Sequence, residues 1–70
     1  MIINKLSEIA VSKRMNIAEI SRITGIGYSV IQRLYNDKVK SVEIETINKL
    51  CNALECTPSE LFKFTPDNFL

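Results

Sequence analysis

The sequence predicts an all-α chain, one compact domain of five short helices over residues 1–70. Three observations predict it. Apolar residues recur at spacings of three and four almost throughout, the period of a helix with one buried face. No segment alternates apolar and polar residues over a strand's length. Two helix-start signatures, Asn16 with Glu19 and Thr57-Pro58-Ser59-Glu60, punctuate the pattern where new helices would open. A hydrophobic content of 46% is enough for one core and speaks against disorder. At this length a fold buries only about 60% of its unfolded surface, so its margin is thin without a partner.

Each element follows from local residues. Ile2/Ile3, Leu6, Ile9/Ala10 and the stem of Lys13 form one stripe, which predicts a first helix over residues 2–14. Asn16 offers a capping oxygen and Glu19 stands three positions on, so a second helix runs from Ile17 to about Thr24. Gly25-Ile26-Gly27 breaks it, because a glycine past a helix end takes the left-handed conformation that closes the last turn. A third helix follows from Tyr28 to Tyr35 or Asn36, then a loop over residues 37–42. Ile44, Ile47, Leu50/Cys51 and Leu54 are the buried stripe of a fourth helix. Thr57 caps a short fifth helix through Leu61 and Phe62, with proline at its first position. Residues 63–70 read as an irregular tail.

Several function classes are excluded. No apolar run approaches the roughly 20 residues that span a bilayer. The start, Met1-Ile2-Ile3-Asn4-Lys5, lacks the apolar stretch and cleavage site of a secretory leader, so a cytoplasmic location is expected. Histidine is absent and the only cysteines are Cys51 and Cys56. On one helix that spacing points them to different faces, which predicts free, buried thiols with no metal and no cofactor. There is no carboxylate pair on a pocket and no glycine-rich phosphate loop, so neither an enzyme nor a small-molecule substrate is expected.

The charge is unevenly spread. Residues 1–40 carry seven basic side chains against three acidic, a balance of +4, while residues 41–70 stand at −3. One side can approach a polyanion while the other is repelled.

Residues 17–36 carry the chemistry. Two short helices joined by three residues must cross steeply to bury their facing stripes, here Ile17, Ile20, Ile23 or Thr24, Ile26, Ile31 and Leu34. Ser21 is small enough for their closest approach. On a helical wheel Ile31 and Leu34 define the buried side of the third helix, with Val30 and Tyr35 flanking. Tyr28, Ser29, Gln32, Arg33 and Asn36 fall on the opposite arc, all hydrogen-bonding and none acidic. Arginine can grip guanine with two bonds and glutamine can grip adenine, so Tyr28, Ser29, Gln32 and Arg33 are candidates to read base edges in a major groove. Asn16 and the amide of Ile17, at a positive helix end, and Asn36, Lys38 and Lys40 after the third helix are candidates for phosphate. Lys13 and Arg14 are weaker ones.

Five stretches in order carry a resemblance: Leu6-x-x-Ile9-Ala10; Ile17-Ala18-Glu19-Ile20-Ser21-x-x-Thr24-Gly25-Ile26; Ile31-x-x-Leu34-Tyr35-Asn36 with its basic loop; Glu45-Thr46-Ile47-x-Lys49-Leu50-Cys51-x-x-Leu54; and Thr57-Pro58-x-x-Leu61-Phe62. The chain resembles the Cro/phage-repressor (Xre-like) helix-turn-helix family over residues 1–66. The resemblance implies a compact five-helix, lambda-repressor-like DNA-binding domain with the helix-turn-helix at helices 2 and 3. It implies base reading at Tyr28, Ser29, Gln32 and Arg33 and backbone contact at Asn16, Ile17, Asn36, Lys38 and Lys40. Gly27 stands where the family usually has a capping serine or threonine, and Ser21 where alanine is commoner.

The expected activity is sequence-specific double-stranded DNA binding by a bacterial or phage-type transcriptional regulator, a repressor acting as a homodimer on a palindromic operator. One recognition helix buries too little surface for tight specific binding, and two half-sites about 34–36 Å apart solve that. Phe64, Phe69 and Leu70 are the candidate dimer contacts. The alternative is a protein-interaction module of the same fold, such as an antitoxin or anti-repressor, with the polar face of the third helix meeting protein.

Overall fold

Among the described residues, a strand at residues 2–4 pairs with one at residues 62–64, and five helices pack between them. The computed structural model describes residues 1–66. The elements are β1 (Ile2–Asn4), α1 (Leu6–Ser12), α2 (Ile17–Thr24), α3 (Tyr28–Tyr35), α4 (Ile44–Leu54), α5 (Pro58–Leu61) and β2 (Phe62–Phe64).

Helix boundaries follow from caps. The Asn16 side chain accepts from the Glu19 amide (2.8 Å) and the Glu19 carboxylate accepts from the Asn16 amide (3.2 Å), satisfying two orphan donors at the start of α2. Gly25, at φ 76°, closes α2 with its N–H on the Ser21 carbonyl (2.9 Å). Thr57 and Glu60 make the same reciprocal pair ahead of α5, where Pro58 takes a position that needs no N–H. Three helices end differently. After α1, α3 and α4 the left-handed residue is Arg14, Asp37 or Glu55 rather than glycine. In each case the next N–H reaches back five residues, Met15 to Ala10 (2.9 Å), Lys38 to Arg33 (2.8 Å) and Cys56 to Cys51 (3.1 Å).

The core is Leu6, Ala10, Ile20, Ile31, Leu34, Leu50, Leu54 and Leu61, each at most 2% exposed. Burying one such Leu or Ile side chain contributes about 1.5–3 kcal/mol. Every helix supplies at least one, so no helix is dispensable. Val39, Val42, Ile47 and Phe62 pack against this cluster.

Four expectations are corrected. First, the fold is not all-helical. Residues 2–4 are a strand rather than the first turn of a helix, and part of the supposed tail is β2, antiparallel with Ile2 opposite Phe64, Ile3 opposite Lys63 and Asn4 opposite Phe62. The β-branched Ile2 and Ile3 find an extended partner, and Asn4 stops the helix from running back by accepting the Leu6 amide (2.8 Å). Second, Ile44 is 84% exposed, because the first turn of α4 overhangs the core that its later turns cover. Third, of the pair Ile23 and Thr24 it is Thr24 that turns inward; Ile23 is 51% exposed. Fourth, Cys51 and Cys56 do not lie on one helix. The left-handed turn at Glu55 folds Cys56 back beside Cys51, whose carbonyl accepts its backbone N–H. Both thiols are free and half-buried. Among the described residues no helix is long and apolar enough to cross a membrane.

Candidate nucleic-acid interface

Helices α2 and α3 pack against each other across a turn that is bonded back to α2 by two side-chain hydroxyls. The Ser21 hydroxyl donates to the Ile26 carbonyl (2.6 Å), the Thr24 hydroxyl donates to the Ile20 carbonyl (2.6 Å), and Thr24 Oγ1 accepts from the Ile26 amide (3.2 Å). Ser21 therefore does more than allow close approach. It ties the helix to the turn that follows it, and Ile26 packs against the core between the two glycines.

Ile31 and Leu34 anchor α3 inward, while Tyr28 (51% exposed), Ser29, Gln32, Arg33 and Asn36 lie on the surface. The structure thus brings the four residues marked for base reading onto one outward face. No acidic side chain stands in the first turn of α3, and Gly27 puts no capping side chain over its positive end. Such a face presents donors and acceptors without repelling phosphate.

The residues marked for phosphate are placed less uniformly. Asn16 is exposed, but its side-chain oxygen is committed to the Glu19 amide, and the Glu19 carboxylate folds over the same helix end. The Ile17 side chain packs against the core, so only its backbone amide can serve a ligand. Asn36 donates its side-chain amide to the Gln32 carbonyl (3.0 Å), closing the end of α3. Lys38 and Lys40 are exposed and share an open cleft of about 700 Å³ with Arg33. Ser41 and Thr46, neither of which the sequence marks as a contact residue, add hydroxyls to that cleft, and Glu43 adds one acid. Lys13 lies elsewhere, near enough to Cys56 and Glu60 to draw both thiol and carboxyl toward the charged form.

The dimer candidates divide. Phe64 is 69% exposed at the outer end of β2, beside its cross-strand neighbour Ile2 at 68%. Phe69 and Leu70 lie outside the described residues.

Away from this surface, two groups among the described residues have shifted acidities. The Cys56 thiol is raised to about 11, chiefly by burial and then by the neighbouring Cys51, with Glu60 adding to it. The Glu60 carboxyl is held below its ordinary value by hydrogen bonds from the Thr57 amide and hydroxyl.

The profile of the Cro/C1-type HTH DNA-binding domain matches residues 5–67. An uncharacterized HTH-type transcriptional regulator, YozG of Bacillus subtilis (strain 168), is 29% identical over 66 residues, covering 94% of this chain and 79% of the relative. The matched span takes in all five helices, the turn at Gly25–Gly27 and the outward face of α3, and the chain belongs to the Cro/C1-type helix-turn-helix DNA-binding family.

Proposed function

We propose that residues 1–70 act as one lambda-repressor-like domain that reads a specific double-stranded DNA sequence with α3. It serves as a cytoplasmic repressor in a bacterial or phage-type circuit. The observation that carries this reading is the acid-free outward face of α3, where Tyr28, Ser29, Gln32 and Arg33 stand exposed while Ile31 and Leu34 hold the opposite side in the core. Arg33 and Gln32 each have the planar, two-bond geometry that discriminates base edges. Lys38, Lys40 and the amides at the start of α2 meet the flanking phosphates and set the register without reading sequence.

The protein binds as a homodimer to a palindromic operator. Eight residues of α3 offer too few base contacts for a tight complex, and a second copy one helical turn away doubles them. The exposed pair of Ile2 and Phe64 supports this, since an apolar patch on a small surface is stabilised by being covered.

Selection of bound sequences from a random duplex pool tests the proposal. Enrichment of a two-fold symmetric site with half-sites about 10 base pairs apart is the expected result. Failure to enrich any sequence, with no retention on duplex at low salt, overturns it and favours the protein-interaction reading.

A further inference from the structure

Asn4 ends β1, far in sequence from the two helices of the motif, yet its side chain reaches the reading helix. Its Oδ1 accepts the Leu6 amide (2.8 Å), which opens α1, and its Nδ2 donates to the carbonyl of Leu34 (2.7 Å) in the last turn of α3. The rest of Asn4 is fixed from the other side. It pairs with Phe62 of β2, and the next amide, that of Lys5, donates to the Leu61 carbonyl (2.8 Å). The contact is partly buried, where water competes poorly for the carbonyl.

The last carbonyls of a helix have no partner within it. At the end of α3, the Gln32 carbonyl takes the backbone and side-chain amides of Asn36 (both 3.0 Å), and that of Arg33 takes the Lys38 amide (2.8 Å). The Leu34 carbonyl takes the Asp37 amide (3.0 Å) and Asn4. Among these donors Asn4 alone comes from outside the helix and its own exit turn. It is the polar tie from the far end of α3 to β1, added to the anchoring of the Leu34 side chain in the core.

We propose that Asn4 is a positioning residue for base recognition: through the Leu34 carbonyl it sets the tilt of α3 and the path to Lys38 and Lys40, without touching DNA. This rests on the reading of α3 as the helix that enters the groove. Paired hydrogen bonds to a base edge tolerate only a few tenths of an ångström, whereas lysines on four-carbon stems follow a phosphate through larger shifts. Releasing the tie therefore removes sequence discrimination and spares sequence-independent binding.

Two variants isolate the tie. Asn4→Asp keeps the oxygen that the Leu6 amide needs and replaces the donor to Leu34 with a charged acceptor. Asn4→Ser also keeps an acceptor, falls short of Leu34, and adds no charge beside Asp37, which lines the same groove. Affinity is measured for the duplex that the wild-type protein selects and for a scrambled duplex, together with amide hydrogen exchange at Asp37 and Lys38. Both variants are expected to lose about tenfold in the ratio of the two affinities, the scale of one base contact. Scrambled-duplex affinity stays within about twofold, and the two amides exchange faster with helicity unchanged. Wild-type selectivity retained in both variants overturns the inference. So does a parallel fall on both duplexes with lost helicity, which reduces Asn4 to a support of the fold. A wild-type protein that prefers no duplex overturns the parent reading and this inference together, a failure visible before any variant is made.

Discussion

Arg33 and Lys38 lie five residues apart, but their side chains would meet DNA in different ways. Arg33 sits on the outward face of α3, where a planar fork can span two acceptors of one base, whereas Lys38 sits past the helix end as a mobile point charge. Arg33→Ala is expected to relax base preference at one position of the site. Lys38→Ala is expected to weaken binding to all sequences alike and to lower the slope of log affinity against log salt by about 1. Titrations at several salt concentrations on selected and scrambled duplexes check both, and unchanged selectivity in the Arg33 variant removes that residue from the reading face. The outward set of α3 was legible because it depends only on a wheel with two anchors, Ile31 and Leu34. The cysteine pair was not, because a left-handed glutamate carries no mark in the sequence. Their proximity has a chemical signature. A thiol raised to about 11 holds about 100-fold less thiolate near neutral pH than one at the ordinary 9.0. Alkylation of Cys56 by iodoacetamide in native protein should therefore be slow at pH 8 and accelerate up to about pH 11, and a rate matching free cysteine at pH 8 contradicts the placement. The sign for stability follows. The raised value means the unfolded state ionises first, so this group contributes no penalty below about pH 9 and destabilises the fold between there and about pH 11.

The elements owe their limits to two kinds of cap, and each kind makes a prediction. Arg14, Asp37 and Glu55 adopt a conformation that costs a side-chain-bearing residue about 1–2 kcal/mol, while glycine gives back part of the gain through its freer unfolded chain. All three are exposed, and Glu55 is the one farthest in sequence from the residues marked for DNA. Glu55→Gly is expected to stabilise by about 0.5–1 kcal/mol, raising the melting temperature by roughly 2–8 °C for a domain of this size. Thermal melts followed by circular dichroism settle the direction. The box ahead of α5 responds to acid. Because the Glu60 carboxyl is depressed in the fold, its contribution is fully present above the ordinary value of 4.5 and fades as pH falls through the lower folded value. Glu60→Gln should flatten the loss of melting temperature between about pH 5 and pH 3, and an identical acid profile would deny the carboxylate that role. The boxes and the Gly25 turn were readable because their signals lie within three or four residues. The sheet was hidden because each strand has three residues and its partner lies about sixty positions away. Ile2 and Ile3 fit a helical stripe equally well, and only the distant Phe62 and Phe64 decide between the two.

At the scale of the molecule, the exposed apolar pair of Ile2 and Phe64 is where the proposed homodimer is tested. Phe64→Glu leaves the buried set untouched, so the variant should fold, stay monomeric on a two-half-site duplex and lack the cooperativity expected of the wild-type protein there. Sedimentation with and without duplex measures this, and wild-type protein that remains a monomer in both settings rejects the assembly. The sheet has one more consequence. Met1 and Thr65 exchange backbone hydrogen bonds at the open end of the ribbon, so both ends of the described chain leave from the same side. Tension applied there does not shear the strands against each other. It peels them apart one rung at a time, Ile2 from Phe64, then Ile3 from Lys63, then Asn4 from Phe62. The last rung to open is the one that holds Asn4, so strand separation ends at the bond from Asn4 to the Leu34 carbonyl and couples a load on the sheet to α3.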